Sequence, residues 1–408
     1  MSFLDKLLGK PTLRSVTESM AKELLSRGET DLVVNAAAGA IDVRRDGSSG
    51  TILHAHNLLH ALLKLPRGKR PAEIRRFLDG LPLTNGVIPD DYAAVAGSLL
   101  PVVRGAADFG LYSLTIAHAG GEPMPKVATS SLVNDVVVAL AIDMPESMSL
   151  VAEERFAEWG VSFEHALEQA LQNLRGLPEH GGWKAISPGV WSGEWGDSYE
   201  SSRILLPDLI RRLGIKDPVA MVSFRGAILV TSAHDARGIA SMLTTVEQSI
   251  RNNNRWVSFR PAILQGTTWS TFVPPPELLE RFRRLDFESA ASSHAQQKEF
   301  LDKKFEAEVA DVFVASYLAV TRDGALMTWA TWTKGVTHAL LPEVDAVFFG
   351  APDSPDFTSF AVPWSDVCEL VGHLMLATEW MPTRFSIHEF PSPGELDRLR
   401  AAALPRFG

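Results

Sequence analysis

Hydrophobic and polar residues follow one another along this chain in short blocks, and their spacing changes repeatedly between helical and strand-like. Residues 13–25 have apolar side chains at helical spacing and end near Gly28, which can adopt a left-handed capping conformation. Residues 32–44 contain two alternating, strand-like runs, and residues 52–65 return to helical spacing. The pattern predicts a helix, a hairpin and two further helices in an N-terminal unit, residues 1–90.

Two α+β units are predicted next, over residues 91–180 and 181–273. Arg225-Gly226 separates two apolar runs, which is typical of a tight hairpin turn. The predicted strands are residues 111–118, 133–143, 219–224, 227–231 and 258–264, and the predicted helices are residues 153–159, 163–175, 202–213 and 239–250. Hairpins followed by helices indicate compact α+β units.

Three consecutive prolines at residues 274–276 mark the next boundary, because such a run continues neither a helix nor a sheet ladder. The charged, turn-poor residues that follow predict a helical linker over residues 274–310, with a softer patch of small and polar residues at 290–297. A C-terminal α+β unit, residues 311–408, is predicted after it.

The recurring hairpin turns decide the predicted fold class. Asp46-Gly47, Arg225-Gly226 and Asp323-Gly324 each separate two strand-like runs, without the steady strand–helix alternation of parallel sheets. The sequence therefore predicts an α+β fold of several small units of mainly antiparallel sheet with packed helices. Trp329 and Trp332 are three residues apart on a predicted strand, so we expect them on opposite faces of a sheet.

Composition excludes several classes of protein. Of the 408 residues, 46% are hydrophobic and 22% are charged, which is ordinary for a globular protein with sizeable cores. The net charge of −10 argues against general nucleic-acid binding, which requires a basic surface. The single cysteine, Cys368, fits a reducing compartment, and no apolar run approaches the ~18 residues of a membrane helix. Since the first ten residues also lack the apolar core of a secretory signal, we expect a cytoplasmic protein without an integral membrane segment.

Four short stretches carry a family resemblance: residues 56–60 (HNLLH), 100–104 (LPVVR), 198–205 (SYESSRIL) and 219–230 (VAMVSFRGAILV). They resemble an Asn-Leu helix start, a Leu-Pro-Val-Arg strand, a Ser-Arg-Ile-Leu helix entry and a hairpin of the YtpQ-like family, bacterial proteins that share a domain of unknown function. Family members usually carry proline and an Arg-Asp pair in that hairpin, whereas this chain has Ser-Phe-Arg-Gly, so a role of the missing aspartate does not carry over. The resemblance covers about residues 13–265 and implies a mixed α+β fold without a known activity.

His54, His56 and His60 form the sharpest local pattern for chemistry. If the helix includes His56, then His56 and His60 lie one turn apart on one face, where two imidazoles can share a metal ion, and His54 can supply a third ligand. Histidines at this spacing also occur on exposed helix faces. The pattern therefore leaves a metal site and a solvated helix face open.

Large aromatic residues lie among glycines in residues 183–203, a combination that is common in binding surfaces. Arg203 can bind a carboxylate or phosphate of a ligand or partner, or it can pair internally with Asp197 or Glu200. Arg104, at the end of an apolar strand, allows the same two interpretations. The candidate ligand- or partner-binding residues are Trp191, Trp195, Asp197, Tyr199, Glu200, Arg203 and Arg104.

Function is less constrained than fold. The sequence contains no Walker loop, no Gly-x-Gly-x-x-Gly, no His-Glu-x-x-His, no Gly-x-Ser-x-Gly and no Cys-x-x-Cys. The leading hypothesis is therefore a non-catalytic binding or adaptor protein that needs no cofactor, with another protein or a small ligand as its partner. The alternatives are a hydrolase-type enzyme with dispersed catalytic residues and a metal-binding protein that uses the three histidines.

Overall fold

The computed structural model describes residues 10–36, 39–45, 48–63, 65–79, 89–118, 126–144, 147–178, 181–250, 256–322 and 324–405. The helices are α1 (Leu13–Ser26), α2 (Ala55–Leu63), α3 (Arg70–Asp79), α4 (Tyr92–Val95), α5 (Ala106–His118), α6 (Glu153–Trp159), α7 (Phe163–Gly176), α8 (Pro207–Arg211), α9 (Ala236–Ser249), α10 (Pro276–Ala307), α11 (Trp364–Val371) and α12 (Pro393–Ala401). Short 3₁₀ helices lie at Arg67–Lys69, Ala96–Ser98, Ser201–Leu205 and Gly372–Leu374.

The strands complete the α+β arrangement. They are β1 (Leu32–Asn35), β2 (Ala40–Arg45), β3 (Ser48–His54), β4 (Leu99–Gly105), β5 (Thr129–Val133), β6 (Val136–Met144), β7 (Ser147–Leu150), β8 (Gly182–Ser187), β9 (Val190–Glu194), β10 (Pro218–Phe224), β11 (Ala227–Ser232), β12 (Ala262–Gln265), β13 (Thr268–Thr271), β14 (Phe313–Val314), β15 (Leu318–Arg322), β16 (Ala325–Thr333), β17 (Ala339–Pro342), β18 (Ala346–Gly350), β19 (Phe360–Pro363), β20 (Leu376–Ala377) and β21 (Arg384–Ile387). The predicted fold class is confirmed: the sheets are mainly antiparallel, with parallel pairs at β14–β17 and β16–β18.

The chain divides into two compact units, each built from several stretches of the sequence. Unit 1 comprises Met1–Leu100, Ala119–Pro125 and Ala141–Ala170, and unit 2 comprises Pro101–His118, Lys126–Leu140 and Leu171–Gly408. This division is coarser than the predicted boundaries at residues 90, 180, 273 and 310, which stay a prediction.

Unit 1 has a small antiparallel sheet in the order β1-β2-β3. Helix α1 begins at Thr12, whose hydroxyl accepts a hydrogen bond from the Ser15 backbone while the Ser15 side chain accepts one from the Thr12 backbone. The apolar face of α1 packs with the sheet and α2 around Met20, Leu24 and Ile41. The predicted helix–hairpin–helix pattern is present, except that residues 52–54 of the predicted helix at 52–65 belong to β3. The turn residues Asp46 and Gly47 lie outside the described residues.

Unit 2 contains a six-stranded sheet in the order β13-β12-β10-β11-β9-β8. Its central strand β10 is buried at every position, which explains its continuous apolar run. Helices α9 and α10 cover the sheet and close a core that includes Ile239, Met242 and Phe282. The predicted hairpin about Arg225-Gly226 joins β10 and β11.

Two four-stranded sheets form the C-terminal part of unit 2, in the orders β14-β17-β21-β20 and β15-β16-β18-β19. Trp332 is 1% exposed and packs in their shared core, whereas Trp329 is half-buried and contacts Phe348 with ring centroids 5.9 Å apart. Successive side chains of a strand alternate between its two faces, so residues three apart lie on opposite faces. The prediction for these two tryptophans is confirmed.

Helix α10 buries different faces at its two ends. Leu278, Phe282 and Leu285 enter the core of the six-stranded sheet, and Leu301 and Phe305 enter a second core with β14 and β17. At about 100° per residue, these two sets lie on different sides of the helix. The predicted helix at residues 274–310 is therefore packed at both ends, and its middle lies between two cores.

The predicted strand at residues 111–118 is wrong, because these residues belong to helix α5. Short apolar runs do not distinguish a strand from a buried helix by periodicity alone. The residues that precede this run favour a helix, because the first turn contains two alanines and Asp108. Among the described helices, none is both long enough and apolar enough to cross a membrane.

Candidate functional site

Unit 2 contains an open, polar cavity of about 680 Å³, within the ~300–1,000 Å³ range of small-molecule sites. Its walls are the beginning of α5, the turn between β5 and β6, the middle of α10 and loops near residues 257, 317, 344 and 382. The polar residues that line it are Asp108, Ser131, Asn134, Asp135, Arg260, Arg283, Asp286, Ser289, Ser292, Ser293, His294, Gln296, Tyr317, Thr328, Glu343, Asp345 and Thr383. We call it the Tyr317 cavity.

An aromatic stack forms one wall of the Tyr317 cavity. Phe287 and His294 are seven residues apart on α10, which corresponds to two turns and about 10.5 Å along the helix axis. The Tyr317 ring lies 5.9 Å from the Phe287 ring and 4.6 Å from the His294 ring, with interplanar angles of 20° and 16°. Because the two separations together match the spacing along α10, Tyr317 fills the gap between the two rings.

His294 is the most deeply buried titratable residue of this wall, with 6% exposure. Burial lowers its pKa to about 3, and the positive charge of Arg384 acts in the same direction. The imidazole is therefore neutral at neutral pH, with one ring nitrogen that donates and one that accepts. Its Nδ1 atom is buried and lacks a hydrogen-bond partner among the described residues.

Arg384 on β21 binds the same part of α10. The side chain is fully buried, and it donates to Gln297 Oε1 at 2.6 Å, Ala315 O at 2.7 Å, Leu340 O at 3.2 Å and His294 O at 3.3 Å. Burial lowers the pKa of Arg384 to about 10, so the guanidinium stays charged. This cation positions the helix turn that carries His294.

The opposite part of the cavity carries a carboxyl group with an unusual environment. Ser258 Oγ donates to Asp135 Oδ1 at 2.5 Å. Burial raises the pKa of Asp135, although the hydrogen bond from Ser258 and the charge of Arg260 oppose this rise. Arg260 itself is held by Asp286 through two hydrogen bonds of 2.9 Å each.

A second carboxylate lies beside Tyr317. Asp345 Oδ2 accepts hydrogen bonds from the Thr328 backbone at 2.8 Å and from the Thr328 hydroxyl at 3.0 Å, and Arg283 lies 3.5 Å away. Burial raises the pKa of Tyr317 to about 12, and the charges of Asp286 and Asp345 add to the rise. The phenol therefore stays protonated and can donate or accept a hydrogen bond.

The predicted binding segment at residues 183–203 forms a separate cluster. Arg203 is 3% exposed, donates two hydrogen bonds to Asp197, and stacks its guanidinium 4.2 Å from the centre of the Trp195 ring. Burial acts to raise the pKa of Asp197, but hydrogen bonds from Arg203 and from the Tyr199 backbone outweigh it, so the pKa is lowered. Of the two interpretations of Arg203, the internal pair is the observed one.

The other candidates of this segment differ in exposure. Trp195, Tyr199 and Glu200 are buried, and Glu200 accepts a hydrogen bond from the Gly196 backbone at 2.8 Å. Trp191 on β9 is half-buried. The binding role of the segment stays a prediction, and Trp191 is the half-buried aromatic residue among its candidates.

Arg104, another predicted site residue, does not line the Tyr317 cavity. Arg104 is half-buried on β4, where it donates to Val103 O at 2.8 Å and makes further contacts. His54 ends β3, and His56 and His60 belong to α2, so the predicted helical spacing exists. Their side chains lie outside the described residues. Within the described part of the chain, no three His, Cys, Asp or Glu side chains are grouped to hold a metal ion.

Another polar cluster lies where β17 and β21 pair. Ser386 Oγ lies 2.9 Å from His338 Nε2 and 3.1 Å from His388 Nε2, and the two imidazole rings stack 4.2 Å apart. Burial lowers the pKa of His338, and the neighbouring His388 contributes. The neutral imidazole can accept a proton from the serine hydroxyl.

Comparison with known proteins adds no assignment. No family model, no curated protein and no solved structure matches this chain. The YtpQ-like resemblance therefore stays a prediction.

The sequence did not identify the residues of the Tyr317 cavity. One signal was present: the small and polar residues at 290–297 interrupt the charged helix at the point where it lines the cavity. His294 lies within that patch.

Proposed function

We propose that this protein is a non-catalytic binding protein whose unit 2 holds a small polar molecule in the Tyr317 cavity. The observation that carries the proposal is a cavity of about 680 Å³ that collects a buried neutral His294, a protonated Tyr317 and a half-buried Asp135 whose pKa is raised by desolvation. Perturbed titratable groups that converge on one cavity are typical of ligand sites.

Binding is favoured over catalysis by the contacts inside the cavity. Among the described lining residues, no hydroxyl group is hydrogen-bonded to the His294 ring, so no hydroxyl–imidazole pair is present there. Most polar side chains are instead held by neighbours, which is the preorganisation that a binding site needs. A cytoplasmic location and membership in the YtpQ-like family are parts of this proposal and are supported by the sequence alone.

A cavity-filling variant and a matched control test the proposal. Ala290 lines the cavity on α10, whereas Ala295 is exposed on the same helix and does not line it. In a thermal-shift screen against small polar metabolites, we expect at least one compound to raise the melting temperature of the wild type and of Ala295→Trp, but not of Ala290→Trp. A screen without stabilising compounds, or equal stabilisation of both variants, contradicts the proposal.

A serine hydrolase is the second candidate function, and the Ser386 cluster favours it. His338 Nε2 lies 2.9 Å from Ser386 Oγ, which is within reach for general-base activation of the hydroxyl. A fluorophosphonate probe should label the wild type and the exposed-serine control Ser130→Ala, but not Ser386→Ala. Unlabelled wild-type protein would exclude this candidate.

A further inference from the structure

We infer that the molecule bound in the Tyr317 cavity is a small organic cation, an amine or a guanidine, whose charged nitrogen pairs with Asp135. This inference rests on the proposed function, because it assigns a ligand class to the same cavity. Two independent features of the cavity support it: the balance of its charges and an unpaired buried nitrogen.

The charge balance leaves Asp135 without an ion pair within 4 Å among the described residues, although the charge of Arg260 acts on it from farther away. Five carboxyl groups and two guanidinium groups line the cavity. Asp286 is occupied by Arg260, and Asp345 is held by Thr328 with Arg283 nearby. The guanidinium group of Arg225 lies 2.9 Å from the carboxylate of Asp108 and pairs with it.

The two other carboxyl groups are Asp135 and Glu343, and neither has an ion-pair partner within 4 Å among the described residues. Glu343 is exposed and can be solvated by water, whereas Asp135 is half-buried and partly desolvated, with the Ser258 hydroxyl as its donor. A partly desolvated carboxylate is stabilised when a positive charge pairs with it. A ligand nitrogen can provide that charge.

His294 is the second observation. Its side chain is 6% exposed and lines the cavity, and its buried Nδ1 has no partner among the described residues. Leaving such an atom unpaired in the folded protein costs stability, so a native site of this kind is expected to have a partner. A hydroxyl or second amino group of the ligand can fill this role.

The same contacts argue against the other ligand classes. An anion would meet an excess of carboxylates, and both lining guanidinium groups lie beside carboxylates already. A metal ion requires several convergent ligands, and the described residues contain no such group of three. An organic cation needs only one carboxylate and one or two hydrogen bonds.

Calorimetric titration of the full chain with five probes that share a four-carbon chain tests the inference. Putrescine, agmatine and 4-amino-1-butanol carry a cationic nitrogen, whereas 1,4-butanediol is neutral and succinate is anionic. We expect binding of at least one cationic probe at millimolar concentration and no binding of the neutral or anionic probes. Asp135→Asn, which keeps the shape of the side chain and the Ser258 hydrogen bond, should weaken the binding by about tenfold or more.

Two further variants control this experiment. Asp353→Asn removes an exposed carboxylate of unit 2 outside the cavity and should bind like the wild type. His294→Phe keeps an aromatic ring in the stack but removes Nδ1, so it should weaken binding by a smaller factor. Circular dichroism confirms that each variant is folded.

The outcomes separate the inference from the proposed function. If no cationic probe binds, or if all bind equally to wild type and Asp135→Asn, the inference is wrong. Binding of divalent cations alone, or of succinate, also overturns it. The proposed function is decided separately by the Ala290→Trp screen. If that screen finds only a neutral or anionic ligand, the proposed function holds and the inference is wrong.

Discussion

Tyr317 stacks on His294 with ring centroids 4.6 Å apart and 16° between the ring planes. Since Phe287 covers the other side of the Tyr317 ring, a residue from the loop after β14 is held between two turns of α10. The stack joins the helix to the C-terminal sheets at the wall of the cavity, so it is expected to contribute both stability and the position of His294.

Removal of the Tyr317 ring should therefore destabilise the protein. We expect Tyr317→Ala to lower the free energy of unfolding by about 2–4 kcal/mol, because both neighbouring rings lose a packing surface. Tyr317→Phe keeps the stack and should stay within about 1 kcal/mol of the wild type. Urea denaturation followed by tryptophan fluorescence measures both values, and equal losses in the two variants would contradict a role of the stack.

The stability of the protein should fall in mild acid because of His294. The pKa of His294 is about 3 in the folded protein, against 6.5 in the unfolded chain, so the unfolded state binds the proton more readily between these values. The contribution of the neutral ring is therefore fully present above pH 6.5 and is lost as the pH falls from 6.5 towards 3. Between pH 7 and pH 5 the free energy of unfolding should therefore fall by about 2 kcal/mol because of His294.

His294→Phe removes this titration and preserves a ring in the stack. The free energy of unfolding, measured by urea denaturation, should fall between pH 7 and pH 5 in the wild type. In the variant we expect this fall to be about 2 kcal/mol smaller. The other titrating groups are common to both proteins and cancel in this comparison. Parallel pH dependences would show that His294 does not titrate with a lowered pKa.

The pair of Asp197 and Arg203 should be strongly coupled. Asp197→Asn leaves the guanidinium of Arg203 buried without its carboxylate and is expected to cost about 3 kcal/mol. In the double variant Asp197→Asn/Arg203→Met, the uncompensated charge is gone while the aliphatic stem still covers Trp195, so part of the loss should be recovered. A double-mutant cycle with additive effects would rule out this coupling.

Arg384 should not be replaceable by lysine. Its planar guanidinium donates to Gln297 and to three backbone carbonyls, and one ammonium group cannot reach all of these acceptors. We expect Arg384→Lys to lower the free energy of unfolding by about 2–4 kcal/mol. Arg212→Lys, an exposed control in the same unit, should change it by less than about 0.5 kcal/mol.

Local patterns predicted much of the secondary structure correctly. The spacing of Trp329 and Trp332 placed the two rings on opposite faces of a strand, since side-chain direction in a strand depends on spacing alone. The strand at residues 111–118 was wrong because a short apolar run fits two secondary structures, and its contact with the rest of unit 2 was not visible in the sequence. Arg203 had two interpretations, and burial beside Asp197 and Trp195 distinguishes them.

The sequence by itself determined the α+β class, the hairpin at Arg225-Gly226 and the helix after the prolines, because turn chemistry and apolar periodicity act over a few residues. Only the tertiary structure decided the Tyr317 cavity. Ser258 and Asp135 are 123 residues apart, and Arg384 and His294 are 90 residues apart. The burial that shifts the pKa values of Asp135 and His294 depends on segments brought together by packing, and no local pattern records that environment.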